Sequence, residues 1–132
     1  MLALLNNLFP IFLSLAQAQD ITCINSKISL IEFGKSKNQS AFFCFNEDKT
    51  ILLSKNCIKK KCSAFIYPHK FKIDQLLSQN GKPSFQLCRE LSGKPELLEF
   101  YVENKAYKLD RCLFSDGSFV DTDFLLSHYL EK

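Results

Sequence analysis

Glu99-Phe100-Tyr101-Val102-Glu103-Asn104-Lys105 is the stretch on which the fold turns. Polar and apolar residues alternate through it, Asn104-Lys105 breaks the pattern, and Ala106 to Phe114 resumes it. Alternation with period two on both sides of a short polar break reads as a β-hairpin. Ser115-Asp116-Gly117 is a second turn signal, because glycine readily takes the positive φ that such turns need. Ser118 to Val120 follows as a short third strand. Helices flank the hairpin. Upstream, Pro83 suits a helix start, Leu87 and Leu91 lie four apart on one face, and Gly93 stops a helix over Ser84 to Leu91. Downstream, Asp121 or Thr122 can cap a last helix carrying Phe124, Leu125, Tyr129 and Leu130. Ile73 to Gln79 reads as a further short helix, with Gly81 as its stop. Residues 73–132 thus read as a helix–β-hairpin–helix unit.

Before residue 73 the pattern changes. Ile28 to Phe33, Ala41 to Phe45 and Thr50 to Ser54 are short runs rich in Ile, Leu and Phe, separated by Gly34 to Asn38 and by Asn46 to Lys49. Such spacing predicts an antiparallel β-meander over residues 19–72, with Ala64 to Tyr67 as a fourth strand ended by Pro68. Phe42-Phe43-Cys44-Phe45 is apolar on both faces, so both should be covered. The fold class is α+β: a small, disulfide-stapled chain with the meander first and the helix–hairpin–helix unit second.

The first eighteen residues read as a signal peptide. Leu8 to Leu15 is an apolar run of h-region length, and Ala16-Gln17-Ala18 supplies a small-x-small cleavage pattern. The run is too short to cross a bilayer, which takes about 20 apolar residues. No transmembrane segment is expected after cleavage, and the expected location is periplasmic or extracellular. The six cysteines, Cys23, Cys44, Cys57, Cys62, Cys88 and Cys112, fit that location as a disulfide framework. Zinc wants two close cysteine pairs or nearby histidines; only Cys57 and Cys62 are close, so no metal and no cofactor is expected.

The C-terminal stretch from about residue 82 to 129 resembles a bacterial family, domain of unknown function 333, whose members carry a haemolysin label. The residues that carry the resemblance are Pro83-Ser84, Leu87-Cys88, Ser92-Gly93-Lys94 and Cys112-Leu113-Phe114-Ser115-Asp116-Gly117-Ser118. The family has no established activity to transfer. The resemblance implies a Cys88–Cys112 bridge and a turn shaped by Asp116-Gly117. A cysteine on a helix and one on the adjacent hairpin agree with that pairing, and closing such a loop stabilises by roughly 3 kcal/mol. Cys23, Cys44, Cys57 and Cys62 then have three pairings open among themselves, and the partition suggests two stapled lobes.

Chemistry is sparse. His69 and His128 are the only histidines, and neither sits in a nucleophile motif. Glu99 with Glu103 on one strand face, and Asp121 with Asp123 at a helix start, are paired carboxylates, but a glycosidase needs a deep cleft between them. A solvated strand face and charges complementing a helix dipole explain them more simply. Asn38-Gln39-Ser40 is a glycosylation sequon, silent in a bacterial source. The net charge of +3 excludes little. Its most distinctive element is Lys59-Lys60-Lys61 between Cys57 and Cys62, with Lys55, Lys70 and Lys72 nearby. A constrained basic loop suits an anionic envelope component or an acidic protein. Nucleic acid is not expected, because the nearby aromatics Phe65, Tyr67 and Phe71 read as core. The functional expectation is an exported, non-enzymatic envelope or secreted module that binds a partner. The alternatives are an inhibitor or adhesin-like protein presenting the basic loop, and a small hydrolase using His69 or His128.

Overall fold

The computed structural model describes residues 20–77 and 81–132; the signal-peptide reading of residues 1–18 lies outside them. Among the described residues six antiparallel strands and two α-helices follow in chain order: β1 (Ile21–Glu32), β2 (Lys35–Asn46), β3 (Leu52–Leu53), α1 (Pro83–Glu90), β4 (Lys94–Val102), β5 (Lys105–Leu113), β6 (Phe119–Asp121) and α2 (Thr122–Tyr129). The strands close into a barrel in the order β1-β2-β3-β6-β5-β4.

This barrel replaces the expected pair of stapled lobes. β1 takes β4 along its second edge, Ile28 opposite Phe100 through Ile31 opposite Leu97. β3 pairs with β6, Leu53 opposite Val120. The sheet therefore runs across the boundary read near residues 72 and 73. The physical reason is burial: a meander of three strands leaves one apolar face and two edges open, whereas closure covers both. Ile28, Leu30, Phe43, Phe45, Leu52, Leu98, Phe100 and Phe119 fill the interior. Phe43 meets Phe100 edge to face, ring centroids 5.5 Å apart. A second core lies between the barrel wall and the helices, where Leu53, Leu87, Val120, Leu125 and Tyr129 pack around Cys44, Cys88 and Cys112. Phe43 and Phe45 thus face the barrel interior and Cys44 the helical layer, while Phe42 stays half exposed.

Several element boundaries differ from expectation. Lys35 to Asn38 are strand rather than loop, because the β1–β2 turn needs only Phe33 and Gly34, both at positive φ. The β4–β5 turn is Glu103-Asn104, one residue earlier than read, and both again have positive φ. Two such residues in succession match the twist of the flanking strands, which is the geometry of a two-residue hairpin turn. Ala64 to Tyr67 is not a strand. Ser63–Phe65 is a single 3₁₀ turn held beside the Cys57–Cys62 loop, and the Ala64 carbonyl accepts from Tyr129 Oη at 2.8 Å. The helix expected over Ile73 to Gln79 is one 3₁₀ turn, Ile73–Leu76, of which only Leu76 is buried; residues 78–80 lie outside the description.

Each disulfide fixes a different junction. Cys23–Cys44 joins directly opposed residues of β1 and β2. Cys57–Cys62 closes the lysine loop after β3. Cys88–Cys112 ties α1 to β5. Asp121 performs the expected capping of α2: one carboxylate oxygen accepts from Phe124 N at 2.9 Å, the other from Leu52 N of β3 at 2.7 Å.

Candidate functional site

The lysine loop is held from both ends. Cys57 N donates to Ser54 O and Lys60 N to Cys57 O, each at 2.9 Å, and the disulfide to Cys62 completes the ring. Lys60 sits at its crest with φ of 57°, a left-handed conformation that turns the chain back toward Cys62. Lys59, Lys60 and Lys61 are all exposed, and among the described residues Lys60 alone of the three is seated over aromatic rings. Its ammonium lies 5.8 Å from the ring centroids of both Phe65 and Phe124. Lysine over aromatic faces is held without being neutralised.

A second lysine comes from a separate segment. The chain after Pro68 runs back along the end of α2, where Phe71 N donates to Tyr129 O and Glu131 N to Phe71 O, both at 2.8 Å. This strap brings Lys70 Nζ to the carbonyl of His128 in the last turn of α2. A cation there also complements the negative end of the helix. Lys60 and Lys70 thereby border one open cleft of about 660 Å³, with Ser127, His128, Glu131 and Lys132 on its walls. A neighbouring hollow of about 350 Å³ shares Lys60 and Phe124 and is lined by Ile21, Ile51 and Ile58, so an apolar recess adjoins the cleft on the Lys60 side.

His128 is the centre of this arrangement. Its ring stands edge-on to Phe65 at 4.9 Å and to Tyr129 at 4.8 Å. Burial pushes its pKa below the ordinary histidine value, and the charges of Lys60 and Lys70 push the same way. The ring is therefore neutral at neutral pH, and the site's positive charge comes from lysine.

The other sequence candidates are placed apart. His69 is exposed and packs edge-on against Tyr67 at 5.4 Å, and it is not among the residues that line the cleft. Ser127, beside His128 in the chain, gives its hydroxyl to Phe124 O at 2.7 Å. Glu103 falls in the β4–β5 turn while Glu99 pairs across to Lys108, so the two do not share a strand face. Asp121 is buried as a cap and Asp123 is exposed. Among the described residues no group of three His, Cys, Asp or Glu is placed to hold a metal.

Phe65, read as core, is half-buried against the second core and also backs the site through Lys60 and His128, while Phe124 lines the cleft itself. Nothing in the local pattern distinguishes that role, because both residues also pack on the second core. Lys70 carried a signal only as one more lysine after Pro68. The buried ion pair of Arg111 and Glu96, at 2.8 Å beneath the Phe119 ring, was not foreseen either; it lies in the barrel wall, away from the cleft.

Fold and site together define a disulfide-stapled, six-stranded antiparallel β-barrel with a lysine-bordered cleft beside its C-terminal helix. In comparisons with protein-family models, curated proteins and solved structures, nothing matches this chain. Three disulfides fit an oxidising compartment, and among the described residues no helix is long and apolar enough to cross a membrane.

Proposed function

We propose that this chain is an exported binding module, acting without catalysis, whose Lys60–Lys70 cleft takes an anionic partner in the periplasm or outside the cell. The observation that carries the reading is convergence. Two lysines from segments ten residues apart in sequence, Lys60 and Lys70, border one cleft with a half-buried histidine, and an apolar hollow adjoins it at Lys60. The Cys57–Cys62 bridge lowers the entropy lost when the loop orders against a partner. Anionic envelope polymer and acidic protein are the partner chemistries that fit, and an inhibitor or adhesin-like role would use the same loop. The resemblance to domain of unknown function 333 belongs to this proposal. Its support is the Cys88–Cys112 bridge and the Asp116 side chain, which accepts from Ser118 N and Ser118 Oγ across the turn. A hydrolase gains no such support, since the Ser127 hydroxyl is engaged with a backbone carbonyl.

The test is envelope binding by the oxidised protein at low and high salt. Replacing Lys59, Lys60 and Lys61 by Ser should weaken binding at low salt. Lys60→Ser and Lys70→Ser should each do so alone, while Lys59→Ser and Lys61→Ser should not. All should melt close to the parent, because surface substitutions usually stay within about 0.5 kcal/mol. Parent-like binding by the Lys60→Ser, Lys70→Ser double variant at both salts would reduce the cleft to a solvated face.

A further inference from the structure

A separate feature lies at the far end of β1. Ile21 borders the hollow beside Lys60, and twelve strand residues carry the chain from there to the β1–β2 turn, roughly 40 Å away at the rise of a strand. At the apex, Phe33 is 100% exposed and its φ is 51°. Both properties are unfavourable in water: a bare aromatic ring, and a bulky residue where Asn, Asp or Gly is the usual occupant. Nothing in the folding of the barrel calls for either, since the turn would close as well on Asn-Gly.

The surroundings of Phe33 are basic. Lys35 and Lys37 leave the turn on β2, and Lys94 opens β4 at the same end; all three are exposed. Lys94 and Phe33 border a shallow hollow of about 380 Å³ with Ile31, Pro95 and the half-exposed Leu97. Of the acidic residues here, Glu96 is bound by Arg111 at 2.8 Å with Lys94 at 3.8 Å, which leaves Glu32 against three lysines.

We propose that the β1–β2 turn is a membrane-docking tip, which inserts the Phe33 ring into the headgroup boundary of an anionic lipid surface while Lys35, Lys37 and Lys94 face the lipid phosphates. A convex ring that stands clear of the protein needs a matching pocket to dock on another protein, but a lipid boundary accepts it without one. Aromatic rings settle at that boundary, and lysines beside them are drawn to anionic headgroups. One ring and a few lysines give weak, reversible docking, not insertion across the bilayer. The inference is independent of the Lys60–Lys70 cleft.

The chain has no tryptophan, so Phe33→Trp places a single reporter at the tip. With vesicles of phosphatidylcholine and phosphatidylglycerol, its emission should shift to the blue. With phosphatidylcholine alone, or at high salt, the shift should shrink, because exposed charges are screened within about 8 Å at physiological ionic strength. Phe33→Asn suits the positive φ, so it should fold and melt no lower than the parent; in co-sedimentation it should lose about tenfold in vesicle affinity. Lys35→Ser with Lys37→Ser should lose the preference for anionic vesicles, and the Lys59, Lys60, Lys61 triple-Ser variant should keep it. The proposal is overturned if folded Phe33→Asn sediments with anionic vesicles as the parent does. It is equally overturned if the tryptophan shifts with envelope protein and not with lipid, which would make the tip a protein-docking knob.

Discussion

Gly93 is held to one residue type by the disulfide beside it. A Cβ at that position would lie 2.3 Å from Cys112 Sγ and 3.1 Å from Cys88 Sγ, so the bridge occupies the space any other side chain would take. Gly93→Ala should therefore destabilise by about 1–3 kcal/mol, the range for overpacking a filled core. In a Cys88→Ala, Cys112→Ala background the cost should largely vanish. Urea midpoints of the four proteins measure this directly, and an undiminished cost without the bridge would place its origin elsewhere. Its neighbour Ser92 closes α1 at φ of 67°, with Ser92 N donating to Arg89 O and Gly93 N to Cys88 O. That pair of bonds is a Schellman ending, for which glycine is the favoured residue at position 92. Ser92→Gly should raise stability by about 1 kcal/mol in the same titration.

At the scale of elements, Asp121 ties strand to helix and carries the pH dependence. Burial pushes its carboxyl up to about 6, outweighing the two backbone N–H donors that pull it down. The folded state thus holds a proton more tightly than the unfolded chain, whose value is 3.8. Its contribution favours the fold below about pH 4 and is lost as pH rises through about 6, on the order of 2–3 kcal/mol in all. Asp121→Asn can accept at only one of the two donors, Leu52 N or Phe124 N, so it should cost about 1–3 kcal/mol. It should also flatten the decline in stability between about pH 4 and 6. A parent-like pH slope in that variant would assign the titration to another group. The hairpin turns offer a second check. Glu103 has φ of 52°, where Asn is far better suited, and Glu103→Asn should raise the melting temperature by up to the equivalent of about 1 kcal/mol. The same chemistry explains what sequence reading missed here. Alternation around Glu99 to Val102 marked the β4–β5 hairpin, but neither Phe33 nor Glu103 resembles a turn residue, so both turns were misplaced. Lys35 to Asn38 looked like loop because strand pairing shows in a pattern only where one face is buried.

For the whole molecule, α+β character and the disulfide framework were legible, because periodicity and cysteine parity are local or compositional signals. Barrel closure was not. It rests on Ile28–Phe100 and Leu53–Val120 pairings between residues about seventy apart, and no single-sequence pattern encodes which distant edges meet. The candidate site was legible in its charge but not in its walls. Lys60 announced itself, whereas its convergence with Lys70, Phe124 and His128 depends on where α2 lies. Closure also sets a prediction. A chain of residues 20–72 alone keeps its two bridges but lacks β4, β5 and β6, so its apolar strand faces have no opposing wall. By circular dichroism and amide exchange it should fail to show a cooperative fold, and a sharp thermal transition from it would contradict the barrel.

The three disulfides have one further consequence. Cys23–Cys44 and Cys57–Cys62 lie wholly before residue 73, and Cys88–Cys112 wholly after it. No covalent bond but the main chain joins the two sides, although the sheet seals them along two seams, β3 with β6 and β1 with β4. The molecule is in effect a pair of complementary pieces joined by a tether. Two separate oxidised chains, 20–77 and 81–132, should reassemble on mixing, with a melting temperature that climbs with concentration as mass action requires. Severed there, the protein would fall apart by dilution rather than by reduction.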